Sequence, residues 1–356
     1  MKKKLSKLLS LLIALVISFS LFACQGDNGE TQETSWLTES DIYIPSEYDF
    51  SFMAIGDTQI ITENAPEKLK NIYDYVIDNV ETKKVKHVFG LGDITDNDIF
   101  NEWITAKQQI ARMDGVVSYS IVRGNHDILS SKNSNNGVLS MKTSTVFDEI
   151  YGGKDTPYAK QYTYAFEGEG EEFRARNTIH FFSSTSRDYM VVALDYGASD
   201  NVLNWAGEII QEHPYHNVIV TTHNYLNTDG TTADKGESTV PSRDYNLDNS
   251  YGVNDGNDMW EKLISKHKNI VLVLSGHKPC DKIVMTQRQG VNGNIVSEFL
   301  IDPQGMDAKD PVGMVATFYV AENGEDITVE WYSTIKNAYY KKSNNYSFKV
   351  NVIDRQ

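Results

Sequence analysis

Five polar motifs in this chain each follow a short apolar run, at points where a buried strand is expected to end in a loop. Carboxylate oxygens can neutralise two cations at once, and neutral imidazole binds zinc, iron, manganese and similar ions. A bound divalent cation lowers the pKa of water toward 7 and offsets negative charge on a phosphoryl group. The motifs therefore predict a metal site that could activate water. They are Gly56-Asp57-Thr58-Gln59, Gly92-Asp93-Ile94-Thr95-Asp96, Gly124-Asn125-His126-Asp127, Thr222-His223 and Gly276-His277.

Each of these residues has a structural explanation when it is taken alone. An aspartate or asparagine after a strand usually caps a helix or forms a turn, and a single histidine is usually half-buried with its hydrogen bonds satisfied. The conjunction of five motifs in one chain favours a shared metal site instead. Other histidines lie in predicted strands, helices or turns without such partners, and we expect them to be structural: His87, His180, His213, His216 and His267.

The elements around the first three motifs alternate between strand and helix. Residues 50 to 122 are predicted to form strand, helix, strand, helix and strand, which indicates βαβ units and a largely parallel sheet. In open α/β sheets, ligands bind beyond the carboxyl ends of the strands, so the five motifs can meet in one crevice. The first helix follows Pro66 and is predicted from apolar residues at helical spacing: Leu69, Ile72, Tyr73, Val76, Ile77 and Val80.

The rest of the chain is less regular. Helices are expected over about 138–150 and 202–212, and strands over 162–166, 179–183 and 189–195. Four more strands are predicted over 295–301, 314–320, 327–333 and 346–352, where we expect them to complete a second sheet packed on the first. The polar segment 224–257 is too long for a plain connection. It is interpreted as a substrate-facing loop, as a solvated loop, or as a calcium site built from Asp255, Asn257 and Asp258.

The net charge limits the expected binding partners, and the N-terminal residues predict where the protein is located. The formal charge is −16, and it becomes −20 once the four lysines Lys2, Lys3, Lys4 and Lys7 are removed, so binding to a nucleic-acid polymer is not expected. These lysines precede an apolar run that is typical of an export signal. The run ends in Leu21-Phe22-Ala23-Cys24, which resembles a bacterial lipoprotein processing site. We expect a signal peptide over 1–24, lipidation of Cys24 at the outer face of the membrane, a flexible tether over 25–45 and one domain over 46–356. An uncleaved anchor or a plain secretory leader is the alternative.

Taken together, the motifs resemble those of the calcineurin-like metallophosphoesterase superfamily, from about Asp49 onward. The resemblance implies an α/β fold with two mixed β-sheets packed face to face and helices on the outside, in four layers. It also implies hydrolysis of phosphate mono- or diesters by a metal-activated hydroxide, with one or two divalent ions (Mn, Fe, Mg, Ca or Zn). By position, Asp93 corresponds to the residue that bridges the two ions and Asp57 to a ligand of the first. The second ion is assigned to Asn125, His223 and His277, and His126, held by Asp96, corresponds to the general acid.

Two departures from the family pattern fall on the first ion. The first motif usually reads Asp-x-His but here has Gln59, and the last usually reads Gly-His-x-His but here has Pro279, which cannot bind a metal. Oxygen ligands alone favour Mn²⁺, Mg²⁺, Ca²⁺ or iron over tightly held zinc. We therefore expect a firm second ion and a weak first ion whose ligands are Asp57, Asp93 and the amide oxygen of Gln59.

The substrate is expected to be a small phosphate ester such as a nucleotide or a phospholipid head group. The phosphoprotein phosphatase branch has an arginine where this chain has Asn97, so a phosphoprotein is not expected. Phosphate could be bound by Arg123, Arg187, Arg243 or Lys278. The competing hypothesis is a degenerate member of the family that holds a ligand at the cell surface without hydrolysing it.

Overall fold

A computed structural model describes residues 35–131, 139–243 and 252–355 of the chain. The expected signal peptide over 1–24, the lipidated Cys24 and the tether up to residue 34 lie outside the described residues. Among the helices of the described ranges, none is both long enough and apolar enough to span a membrane.

The described residues form strands that lie in two sheets. In chain order the strands are β1 (Trp36–Leu37), β2 (Phe50–Ile55), β3 (Val85–Gly90), β4 (Ser118–Ile121), β5 (Tyr164–Ala165), β6 (Thr178–Ser183), β7 (Asp188–Ala193), β8 (His216–Thr221), β9 (Ile270–Ser275), β10 (Val284–Gln289), β11 (Ile295–Leu300), β12 (Met314–Val320), β13 (Asp326–Ser333), β14 (Ala338–Tyr340) and β15 (Tyr346–Lys349). The first sheet has the order β1-β14-β13-β12-β2-β3-β4, with β15 paired to β13. The second has the order β10-β11-β9-β8-β7-β6-β5.

The first sheet has its parallel strands at one side, the second has them at its centre, and the remaining strands are antiparallel. Strands β2, β3 and β4 run parallel, while β12 pairs antiparallel with β2. In the second sheet β7, β8, β9 and β11 run parallel, and β6 and β10 are antiparallel to their neighbours. The parallel strands in each sheet therefore direct their carboxyl ends to one edge, where the polar motifs lie.

Helices cover the outer faces of both sheets. In chain order they are α1 (Gln59–Asn64), α2 (Pro66–Asn79), α3 (Phe100–Ile110), α4 (Val146–Tyr151), α5 (Asp200–Glu212), α6 (Gly256–Lys262) and α7 (Gln304–Asp307). Helix α2 begins at Pro66, as predicted, and buries Leu69 and Ile72 in the same cluster as Val88 of β3. On the second sheet, α5 buries Val202 in the same cluster as Val218 of β8.

The space between the sheets is filled by apolar side chains from both. Phe52 and Phe89 of the first sheet pack in one cluster with Ile219, Leu272 and Phe299 of the second. Burying each such side chain contributes on the order of 1.5–3 kcal/mol to folding. The two mixed sheets packed face to face, with helices outside, confirm the expected fold class.

Three details differ from the prediction. The expected tether does not extend over residues 36–41, because Trp36 pairs with Tyr340 and their rings lie 4.8 Å apart. The expected helix over 138–150 is shorter, since α4 spans only Val146–Tyr151. Of the four C-terminal strands, only β11 joins the second sheet, whereas β12, β13 and β15 extend the first. Apolar alternation predicts a strand but does not choose the sheet that accepts it.

Candidate metal centre

The carboxyl ends of five parallel strands bring the predicted ligands together. Asp57, Asp93 and Asn125 follow β2, β3 and β4 of the first sheet, and His223 and His277 follow β8 and β9 of the second. All five side chains are buried. The ligand atoms of Asp93, His223 and His277 lie within 4.8 Å of one another.

Backbone carbonyls fix the orientation of both imidazole rings. His223 Nδ1 lies 2.8 Å from the carbonyl oxygen of Leu91, and His277 Nε2 lies 2.5 Å from that of Thr239. A carbonyl oxygen only accepts, so each of these ring nitrogens donates a proton to it. In the neutral rings, the lone pairs are then on His223 Nε2 and His277 Nδ1, which are the atoms able to bind a metal ion.

These lone pairs face each other and two oxygen atoms. His223 Nε2 lies 3.2 Å from Asp93 Oδ2, from Asn125 Oδ1 and from His277 Nδ1. One ring nitrogen cannot form three hydrogen bonds, and several of these atoms are acceptors. Bonds of about 2.1 Å to a tetrahedral ion place neighbouring ligands about 3.4 Å apart, which is close to the observed spacing. The donor set fits a divalent cation.

The backbone around these ligands is strained. Asp93 has φ +47° and His277 has φ +78°, which non-glycine residues rarely adopt. Such conformations cost on the order of 1–3 kcal/mol each and occur mainly at functional sites. Gly124 permits the close approach of the loops, because a Cβ atom there would lie 2.0 Å from Asp93 Oδ1.

The pKa values of the buried ligands reflect their mutual contacts. Burial raises the pKa of Asp93, but the neighbouring His223 outweighs it, and the pKa falls to about 2. Burial lowers the pKa of His223, but the charge of Asp93 and its hydrogen bond outweigh burial, so the pKa lies above its usual value. Burial and the nearby His223 lower the pKa of His277 to about 3. Burial, then the carboxylates of Asp302 and Asp93, raise the pKa of Asp57 well above its usual value.

His126 lies beside the cluster and contacts Asp96, as expected. Its Nδ1 lies 2.8 Å from the Asp96 carbonyl oxygen and 3.2 Å from Asp96 Oδ1, and its backbone N–H donates to Asp93 Oδ1 over 2.9 Å. The side chain is 30% exposed, so it is accessible to a ligand. Burial lowers the pKa of His126, but the charge of Asp93 and the contacts with Asp96 raise it above its usual value.

Asp57 and Gln59, which would hold the first ion, lie at the cluster, but the amide of Gln59 is oriented differently from the expectation. Gln59 Nε2 donates to Asp93 Oδ2 over 3.1 Å, whereas the oxygen was expected to point at the metal. The oxygen Oε1 is buried and has no hydrogen-bond partner among the described residues. A rotation of the amide by 180° would exchange the two atoms. The Asp57 carboxylate accepts from the backbone N–H of His277 over 3.2 Å.

Sequence reasoning missed two carboxylates that shape this region. Asp127 is fully buried and accepts hydrogen bonds from the backbone N–H groups of Ile94, Thr95 and Gly124, so it joins the loops that follow β3 and β4. Asp302 follows β11 and interacts with Asp57. It could have been found, because the run Phe299-Leu300-Ile301-Asp302 repeats the pattern of an apolar strand ending in a polar residue.

The suggested phosphate-binding cations lie elsewhere or are already engaged. Arg123 is 1% exposed and its Nε donates to Asp195 Oδ1 over 2.9 Å, so its role is structural. Arg187 bonds Asp354 and the Asn323 carbonyl near the C-terminus. Arg243 donates to the carbonyl of Gly236 within the loop.

Within its described residues, the segment 224–257 contacts the site at Ser238 and Thr239. Thr239 accepts from His277, and Lys278 Nζ donates to the Ser238 carbonyl over 3.0 Å. The carboxylate of Asp255, one of the three residues of the calcium alternative, caps α6 and accepts from the backbone N–H of Ser242. Residues 244–251 lie outside the described ranges.

The profile of the calcineurin-like phosphoesterase family matches residues 50–281, which is more than half of the chain. The chain belongs to this family. A Bacillus subtilis (strain 168) relative, the uncharacterized protein YvnB, is 23% identical over 235 residues. That match covers 65% of this chain but only 16% of the length of YvnB.

Several solved structures are similar in outline. A purple acid phosphatase from yellow lupin (Lupinus luteus) seeds is 13% identical with a TM-score of 0.49, covering 88% of this chain and 55% of the other. GAP50, the anchor in the inner membrane complex of Plasmodium, is 13% identical with a TM-score of 0.46, covering 87% and 91%. The Thermus thermophilus sulfate thiohydrolase SoxB is 11% identical with a TM-score of 0.45, covering 84% and 59%.

Proposed function

We propose that this protein hydrolyses phosphate mono- or diesters with divalent cations. The observation that carries the proposal is the group of acceptor atoms around His223 Nε2, with both imidazoles held in place by backbone carbonyls. Membership of the calcineurin-like phosphoesterase family supports the same chemistry. The residues proposed to hold the cations are Asp57, Asp93, Asn125, His223 and His277.

When bound, the cations would supply a water that is activated at neutral pH and positive charge that stabilises the phosphoryl oxygens in the transition state. The residues of the chain do the rest. Asp93 lies between the two groups of ligands, since its Oδ2 contacts both Gln59 and His223. Because Asp96 engages Nδ1 of His126, Nε2 is the atom left to give a proton to the leaving alkoxide.

The place of action is part of the proposal. The lysine-rich start, the apolar run and Ala23-Cys24 support export and lipid attachment at Cys24. Metabolic labelling with a radioactive fatty acid, followed by membrane fractionation, tests this. We expect the label in the parent chain and none in Cys24→Ser. An unlabelled parent chain would contradict the anchor without affecting the proposed chemistry.

Turnover of p-nitrophenyl phosphate and of its bis ester by the full chain, with Mn²⁺ or iron, tests the catalytic proposal. We expect Asp93→Asn to lose both metal and turnover. His126→Ala should keep the metal and lose about 10²–10⁴-fold in turnover, which is the usual contribution of a general acid. The matched control is Asp307→Asn, because Asp307 is similarly buried and, among the described residues, accepts from the backbone N–H groups of Val312 and Gly313.

The possible outcomes separate the two hypotheses. A parent chain that binds metal but turns over neither ester with either ion is the degenerate binding protein. An Asp93→Asn variant as active as the parent would rule out this site as the catalytic one. Equal losses in Asp93→Asn and Asp307→Asn would mean that the losses come from unfolding, which circular dichroism of both variants detects.

A further inference from the structure

A buried aspartate occupies the place next to the missing histidine of the last motif. Asp302 follows β11, which runs parallel to β9 with Leu300 opposite Ser275. The Asp302 carbonyl accepts from the backbone N–H of Cys280 over 3.0 Å. Cys280 directly follows Pro279, the position at which the family pattern has its second histidine. Asp302 is therefore beside the backbone from which that imidazole would have extended.

Asp302 also lies against the first-motif aspartate. A Cβ atom on Gly56 would lie 2.4 Å from the Ile301 carbonyl oxygen and 2.8 Å from Pro303 Cδ, so the two chain segments are in close contact. The side chains of Asp57 and Asp302 are within hydrogen-bonding reach of each other, and each is almost fully buried. Two carboxyl groups that approach so closely require a shared proton or a cation between them.

One carboxylate oxygen of Asp302 is buried without a hydrogen bond among the described residues. Its Oδ1 accepts from the backbone N–H of Gln304 over 2.8 Å, but Oδ2 has no hydrogen-bond donor within the described part of the chain. The same is true of the buried Gln59 Oε1. A buried acceptor of this kind can bind an ion or a water molecule, and the neighbouring carboxyl group of Asp57 makes a cation the partner that fits here.

We propose that Asp302 binds the first cation directly and replaces the imidazole that Pro279 removes. The inference rests on the proposed function, because it completes the same two-ion site. Three carboxylates, Asp57, Asp93 and Asp302, then carry a charge of −3 against +4 for two divalent ions. An oxygen-only set of this kind selects Mn²⁺, Mg²⁺, Ca²⁺ or iron.

A thiolate placed at position 302 tests direct contact. The experiment uses the full chain with both native cysteines replaced, Cys24→Ser and Cys280→Ser, to which Asp302→Cys is added. After loading with Co²⁺, a sulfur-to-cobalt charge-transfer absorption is expected, because that band requires a Co–S bond. The matched control is Asp307→Cys, which replaces another buried aspartate of the same connection and should give no band.

Metal content supplies a second measurement on the chain with native cysteines. We expect two Mn²⁺ per parent chain and one per Asp302→Ala chain. Asp302→Asn keeps an acceptor for the Gln304 N–H. It should lower the affinity for one of the two ions by at least about tenfold and leave the affinity for the other unchanged. Asp307→Asn should bind both ions as the parent does.

The outcomes distinguish this inference from the proposed function. No charge-transfer band in a folded Asp302→Cys chain, together with two ions retained in Asp302→Ala, would overturn the role of Asp302 while leaving the catalytic proposal intact. Weaker binding in Asp302→Asn without the band would also overturn it, because it would mean that Asp302 acts only through Asp57. A parent chain that binds no metal would refute the proposed function itself.

Discussion

Glu298 makes the stability of the protein depend on pH. This side chain lies on β11 and is fully buried, and its Oε1 accepts from the hydroxyl of Tyr225 over 2.5 Å. The guanidinium of Arg288 is 4.0 Å away, and Oε2 has no hydrogen-bond partner within the described ranges. Burial raises the pKa of Glu298 to about 7, from an ordinary value of 4.5, although Tyr225 and Arg288 oppose the rise.

The sign of the effect follows from proton counting. Between pH 4.5 and pH 7 the folded chain keeps the Glu298 proton while the unfolded chain releases it, so the free energy of unfolding falls as the pH rises. Below pH 4.5 both states are protonated, and above pH 7 both are ionised, so the contribution is constant outside this window. Between pH 5 and pH 8 the expected loss is about 2.5 kcal/mol, at 1.36 kcal/mol for each unit of pKa.

Glu298→Gln should remove this dependence. Glutamine keeps an oxygen for the Tyr225 hydroxyl and does not ionise, so the variant should gain about 2.5 kcal/mol relative to the parent on going from pH 5 to pH 8. Urea unfolding of both chains at several pH values measures the difference. The control is Glu208→Gln on the exposed face of α5, which makes the same chemical change outside the core. A difference between Glu298→Gln and the parent that is the same at every pH would refute the argument.

Two further substitutions test the geometry of the site and its surroundings. Gly124→Ala places a methyl group 2.0 Å from Asp93 Oδ1, so we expect weaker metal binding and about 1–3 kcal/mol of destabilisation, measured by metal content and urea unfolding. The control Gly153→Ala, whose new methyl group would have its nearest neighbour at 3.3 Å, should match the parent. Equal metal affinity in both variants would contradict the close approach of Gly124 to Asp93. Arg123→Met leaves Asp195 without its buried partner and should cost roughly 3–5 kcal/mol of unfolding free energy. An Arg123→Met chain as stable as the parent, with a raised KM, would instead support a phosphate clamp.

The sequence was sufficient to locate most of the proposed ligands because each stands at the end of an apolar strand. A parallel strand order places Asp57, Asp93 and Asn125 at one edge, whatever the loops do. The sequence could not predict which sheet β12 and β15 join. Strands pair through backbone hydrogen bonds, and these do not depend on the identity of the side chains. Arg123 shows the same limit, since its burial against Asp195 depends on residues 72 positions apart.

Asp302 was overlooked for a different reason. Asp302 lies outside the family motifs, and a motif marks where a ligand usually stands along the chain rather than which side chain can reach the ion. Strands β9 and β11 are neighbours in the sheet, so the residues that follow them occupy adjacent places at the same edge. An imidazole lost after β9 can therefore be compensated by a carboxylate that follows β11, without any change in the fold.

This exchange changes the chemistry of the site more than its geometry. In the proposed arrangement the second ion has two imidazoles, His223 and His277, while the first has only oxygen ligands. The two ions would then differ in hardness, because imidazole favours zinc, iron and manganese and carboxylates favour harder ions. A site of this kind binds different metals at its two positions when both are available. Its first ion should exchange faster, since carboxylates hold hard ions such as Mg²⁺ or Ca²⁺ less tightly than imidazole holds zinc.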